Sequence, residues 1–139
     1  MGNAPLGDLV VLDFSRVLAA PLATMLLADH GATVLKVERP GRGDDTRGWG
    51  PPHAPDGTAT YFLSVNRGKH SVALDLADDA DLAVARELAE GADVVVQNFR
   101  PGVMERLGLD HETLSAANPR LISCTVTGFG SGAGAAMPG

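Results

Sequence analysis

The sequence predicts an α/β fold: a parallel sheet with helices on both faces. Two observations carry that expectation. Strand-like and helix-like stretches alternate along the chain, the order that parallel strands joined by right-handed crossovers require. The strand-like stretches are also short and nearly continuous in apolar residues, as strands covered on both sides are.

Leu9–Phe14 (LVVLDF) is such a run, ending at Ser15. Pro21 suits the first turn of a helix, where its missing N–H costs nothing. Leu22, Met25, Leu26 and Ala28 recur at helical spacing, and Gly31 ends the helix. Ala32–Glu38 reads as the second strand. Arg39–Asp56 (RPGRGDDTRGWGPPHAPD) is a long loop rich in Gly, Pro and charge, of the kind that is functional or mobile. With few apolar anchors, it and the 130–139 tail are expected to be the most mobile parts. Ala59–Val65 suggests a short helix and His70–Leu76 a third strand. Asp78–Glu90 is Ala/Leu-rich with acidic residues at its start, as the helix dipole favours, and Gly91 stops it. Asp93–Phe99 is the fourth strand. Val103–Leu107 and Glu112–Ala117 form two short helices, and Leu121–Thr127 is the fifth strand. Residues 1–139 make one domain around one core.

A net charge of −6 argues against nucleic acid as a partner. No apolar run is long enough to span a bilayer, and the opening MGNAPLGD lacks the features of a secretion signal. A soluble, cytoplasmic protein with no membrane partner is expected. Cys124, the single cysteine, lies in the alternating run LISCTVTG and reads as a buried strand thiol rather than a nucleophile. The four histidines (His30, His53, His70 and His111) show no metal-ligand spacing, so no metal is expected. Arg42-Gly43-Asp44 spells an adhesion tripeptide by coincidence. Asp44 and Asp45, being adjacent, read as a solvated loop rather than an acid–base pair.

Ligands of open parallel sheets bind outside the carboxyl ends of the strands. Those ends carry Ser15-Arg16, Glu38-Arg39, Asn98-Phe99-Arg100 and Gly128-Phe129-Gly130. Three arginines at one edge predict an anionic ligand with several phosphates. The first strand-to-helix turn, SRVLAAPLATM, has no glycine, which argues against a nicotinamide or flavin dinucleotide. No Gly-Lys-Ser/Thr triplet occurs, so there is no Walker A loop. The glycines at Gly128–Gly134 follow a strand but precede no helical pattern, and read as a linker or active-site loop.

Three blocks make the chain recognisable: DFSRVLAAPLATMLLADHGATVLKVERPGRGDDTRGWGPP, YFLSVNRGKHSVALDL and ADVVVQNFRPGVMERLGLDHETLSAANPRLISCTVTGFG. Across about residues 6–130 the sequence resembles family III CoA-transferases, the group of formyl-CoA transferase, carnitine CoA-transferase and bile-acid-inducible protein F. The resemblance implies a Rossmann-like large domain, of which this chain is the N-terminal, coenzyme A-binding portion, and a full-length form that is an interlinked homodimer. It implies acyl-CoA and carboxylic acids as substrates and an aspartate that carries the acyl group and then CoA. No aspartate here matches that nucleophile, which is expected beyond Gly139.

The resemblance further implies that Val17 and Leu18 line the CoA cleft. Arg39 contacts the 3′-phosphate end, Leu74, Asn98 and Phe99 hold adenine and pantetheine, and Arg106 reaches phosphate. Leu18 stands where formyl-CoA transferase has glutamine, and Ala77 where it has a lysine. Two neighbouring readings are an α-methylacyl-CoA racemase-like isomerase and a non-catalytic CoA-binding module or partner subunit.

Overall fold

In the computed structural model, residues 4–130, 132–135 and 137 are described. The strands are β1 (Val10–Asp13), β2 (Thr33–Glu38), β3 (Lys69–Ala73), β4 (Val94–Gln97) and β5 (Ile122–Thr125). The helices are α1 (Ala19–Asp29), α2 (Thr60–Ser64), α3 (Asp79–Glu90), α4 (Val103–Leu107) and α5 (His111–Ala117). All five strands run parallel, in the order β3-β2-β1-β4-β5. The order reverses between β1 and β4, and in such sheets that is where a crevice opens for a ligand.

Each face of the sheet has its own core. Leu12, Phe14, Val37, Leu74 and Val95 pack with Ala85 and Ala89 of α3, Met104 of α4 and Leu114 of α5. On the opposite face, Val11, Val34 and Val96 pack against Ala20 of α1. The period-2 alternation of a strand sends neighbouring residues to these two sides. Pro21 is the third residue of α1, among the positions whose N–H has no intrahelical acceptor. Asp78 caps α3 by accepting from the amides of Ala80 and Asp81, which is why the acidic start of that segment marks its beginning.

Three expectations about placement are corrected. Leu22 and Leu26 are exposed, and α1 buries Ala20, Pro21, Thr24 and Met25 instead. Small residues let this helix lie close to the sheet, which turns the leucines outward. Cys124 is exposed, because β5 is an edge strand whose four residues are all exposed. Asp44 is buried and ion-paired rather than solvated.

Arg39–Asp56 is anchored by polar contacts. It contains a 3-10 turn at Asp45–Gly48, for which the Asp44 side chain accepts from the Thr46 amide. Gly43 has φ +71°, and a Cβ there would lie 2.6 Å from Cδ of Arg47. Only glycine leaves room for the Arg47 guanidinium to reach Glu38. Of the 130–139 tail, Ser131, Ala136, Pro138 and Gly139 lie outside the described residues.

A candidate anion-binding cleft at the carboxyl edge of the sheet

On the α1 side, the sheet changes character along its length. Val11, Val34 and Val96 are apolar, but the next residues on that face toward the carboxyl ends are Asp13, Lys36, Glu38 and Ser71. Asp13 is fully buried and Lys36 is 2% exposed. Buried charges need both a counter-charge and hydrogen bonds, and each one here has them.

Asp13 accepts from Thr24 Oγ1 at 2.6 Å, from the Ser15 amide and hydroxyl, and from Lys69 Nζ at 2.9 Å. Lys69 also donates to the Pro21 carbonyl and to Asn66 Oδ1. Lys36 lies 2.9 Å from Asp44 and donates to the Ser15 carbonyl at 2.7 Å. Glu38 accepts two bonds from Arg47, one from Ser71 and one from the Asp44 amide. The Arg47 guanidinium also lies over the Phe62 ring, 3.8 Å from its centroid. Three acidic groups, Asp13, Glu38 and Asp44, balance three basic ones, Lys36, Lys69 and Arg47. The sequence reading missed Lys36, Lys69 and Asp44. A lysine inside an otherwise apolar strand, as in TVLKVE, is the signal that points to such a network.

These pairings shift titration. Burial by itself would raise the Glu38 carboxyl, but the hydrogen bonds from Arg47, Ser71 and the Asp44 amide outweigh it and hold Glu38 below its ordinary 4.5. Burial likewise opposes ionisation of Asp44, but the Thr46 contacts and Lys36 bring it below 3.8. Burial pushes the Lys69 ammonium down, and Asp13 offsets this only in part. For Glu38 and Asp44 the unfolded chain takes up protons first as pH falls, so their stabilisation is present above their ordinary values and is lost through the folded ones. Urea midpoints should therefore fall between pH 5 and pH 2.5, with Glu38→Gln flattening the slope. An unchanged slope in that variant would show that Glu38 is not a source of it.

The turn after β1 is built on this network. Arg16 donates its amide to Asn98 Oδ1 at 2.9 Å and accepts from Asn98 Nδ2 at its carbonyl at 2.8 Å. The Val17 amide points to Asp44 Oδ2 at 3.4 Å. Val17 has φ +71°, the left-handed region that β-branched residues avoid, at a typical cost of about 1–3 kcal/mol.

On the other face, a cleft opens between the ends of the first four strands. Phe14, Val37, Leu74, Leu76 and Phe99 supply its apolar surface, Arg16 and Arg39 stand at it, and Glu38, which is paired with Arg47, and Asp75 also line it. The Arg16 guanidinium lies 5.1 Å from the centroid of the Phe99 ring. Burial lowers the Arg16 pKa, and the like charge of Arg39 at the same cleft lowers it further. Asp45 and Asp44 oppose the shift, and an arginine remains charged throughout. Neither Arg16 nor Arg39 makes an ion pair among the described residues.

Of the residues singled out from sequence, the cleft brings together Arg39, Leu74 and Phe99, with Arg16 and Ala77. Asn98 reaches it through the backbone of Arg16. Half-buried Val17 and exposed Leu18 stand at the start of α1 but do not line the cleft, and neither do the exposed Arg100 and Arg106. A second cleft lies between β4, β5, α4 and the start of α5, where His111 Nδ1 is 3.0 Å from Ser123 Oγ.

Residues 6–139 match the family described as CoA-transferase family III. The chain is 49% identical over 126 residues to succinyl-CoA:glutarate CoA-transferase of Mus musculus, covering 91% of this chain and 29% of that protein. It is 48% identical over 128 residues to acetyl-CoA:oxalate CoA-transferase of Acetobacter aceti, covering 92% and 32%. It thus spans about a third of the length of these relatives. Among solved structures, a CAIB/BAIF family protein from Brucella suis superposes with a TM-score of 0.94 at 45% identity, over 99% of this chain and 37% of that one. A hypothetical protein from Mycobacterium tuberculosis gives 0.87 at 46% identity, over 97% and 37%. With the alternating parallel sheet, the charged edge and matches of this extent, the chain belongs to CoA-transferase family III.

Proposed function

We propose that this chain is the coenzyme A-binding portion of an acyl-CoA:carboxylate CoA-transferase, and that the cleft holds the nucleotide end of the thioester. One observation carries the reading: Arg16 and Arg39 line one cleft, without ion-pair partners among the described residues, beside an apolar surface of Phe14, Leu74 and Phe99. Two like charges held close together are stabilised by an anion with more than one charge. A pyrophosphate joined to a 3′-phosphate supplies such an anion, and adenine suits the aromatic and aliphatic surface. Guanidinium groups match phosphate because their planar fork donates in pairs. The co-substrates of the whole protein are then an acyl-CoA and a carboxylic acid.

The buried carboxylates of this chain are committed elsewhere. Asp13 is bound to Lys69, Asp44 to Lys36, and Glu38 to Arg47. We therefore assign anchoring to these residues, and assign the carboxylate that carries the acyl group to sequence outside them.

Calorimetric titration with coenzyme A tests the reading. Arg16→Ala and Arg39→Ala should each weaken binding about tenfold, more at low salt than at high, because each removes a charge-assisted contact worth about 1.5–3 kcal/mol before screening. Binding unaffected by both substitutions would place the nucleotide elsewhere.

A further inference from the structure

We infer that Asn98, Lys36 and Asp44 are positioning residues that brace the Ser15–Val17 turn from three sides, and that this brace fixes where Arg16 stands in the cleft. The inference rests on the proposed coenzyme A site and adds how that site is held.

The turn has no backbone–backbone hydrogen bonds of its own among the described residues, and its Ser15 amide is met by the Asp13 side chain. From the Ser15 carbonyl to the Val17 amide, the backbone polar groups are met by side chains from other parts of the chain. Lys36 of β2 donates to the Ser15 carbonyl. Asn98, just after β4, takes both the amide and the carbonyl of Arg16. Asp44, in the segment after β2, faces the Val17 amide. No backbone–backbone hydrogen bond involves residues 15–17 among those described. A turn held only by side chains would relax if they were removed, and this one has a reason to relax, because Val17 sits at φ +71°. The residue after Asn98 is Phe99, whose ring lies against the Arg16 guanidinium. One strand end therefore fixes both the backbone and the side chain of Arg16. On this account Asn98 acts on the ligand through Arg16 and not by touching it.

The strain at Val17 makes this testable. Glycine adopts positive φ freely, so Val17→Gly should let the turn keep its shape with less help. Coenzyme A affinity should be measured for Asn98→Ala in the native background and in the Val17→Gly background. The expected loss is about tenfold in the first and about two- to threefold in the second, a coupling of the size seen for residues acting on one element. If Asn98 touched the ligand directly, the same factor would appear in both backgrounds, and the inference would be overturned. No loss in either would overturn it too. Asn98→Asp, which keeps the acceptor for the Arg16 amide but loses the donor to its carbonyl, serves the same cycle if the alanine variant fails to fold.

Amide hydrogen exchange at Arg16 gives a ligand-free arm. Exchange should speed up in Asn98→Ala and be partly restored in the double variant, while the Leu12 and Val95 amides stay protected. Unchanged exchange at Arg16 would refute the brace even if coenzyme A binds. Absence of coenzyme A binding in the native protein would instead remove the proposed function and leave this arm to decide the brace alone.

Discussion

Replacing Asp44 with alanine should lower the stability of the protein by about 3–5 kcal/mol, whereas the same change at Asp45 should alter it by less than about 1 kcal/mol. The two residues are adjacent, carry the same charge and sit in the same Gly/Pro-rich segment. Their surroundings differ. The Asp44 side chain is 1% exposed and lies 2.9 Å from Lys36, itself buried. Its other oxygen accepts from the amide and hydroxyl of Thr46. Removing it leaves an ammonium inside the protein with one carbonyl for company, along with unsatisfied donors at Thr46. Asp45 instead faces Arg42, which is largely exposed, at 3.1 Å, and the Asp45 oxygen on that side is shielded from solvent without a hydrogen bond. Removing that carboxylate strands no buried cation and no hydrogen-bond donor, so little is lost there. Urea denaturation of the two variants, with the native protein as reference, checks the contrast, and equal midpoints would show that the segment holds no buried charge.

Asp13→Ala should be as damaging, again about 3–5 kcal/mol, because it removes one carboxylate from four donors at once. Ser15 loses its amide and hydroxyl acceptor, Thr24 loses its 2.6 Å bond, and Lys69 keeps only two neutral acceptors. The control is Asp13→Leu combined with Lys69→Met. Removing both charges avoids the unpaired ammonium, so the pair should recover a substantial part of the loss even though Ser15 remains short of an acceptor, while Thr24 keeps the Pro21 carbonyl at 3.1 Å. Chemical denaturation of the single and double variants tests this. A double variant no more stable than Asp13→Ala would show that the neutral hydrogen bonds, and not the ion pair, dominate the site.

The NRGK block illustrates what these two residues share. In sequence it lies within one of the blocks that mark the family. In the fold Lys69 is turned into the protein and saturated by Asp13, Asn66 and the end of α1. The motif reports a structural requirement of the sheet edge, and the charges that line the cleft come instead from Arg16 and Arg39.

The elements were legible in the sequence because their signals are local. A helix such as Val103–Leu107 lies between two glycines with positive φ, and the capping aspartate and terminal glycine of α3 frame a run of good helix formers. The parallel order followed from alternation, and with it the expectation that Arg16 and Arg39 meet at one edge, since parallel strands all end on the same side. Which face each residue takes is another matter. One residue of register moves every side chain across the sheet, and only the pairing of Asp13 with Lys36, and of Lys36 with Ser71, placed their charges together under α1. The outward turn of Leu22 and Leu26 depended on how closely α1 approaches, and the exposure of Cys124 on β5 being an edge strand. Arg100 and Arg106 follow a strand end as Arg16 does, yet lie outside the cleft, because direction after a strand is set by the turn. The sequence by itself determined the elements, their alternation and the sheet edge at which Arg16 and Arg39 meet. Tertiary structure decided which charges are buried and which line the cleft, because that choice rests on contacts between strands far apart in the chain.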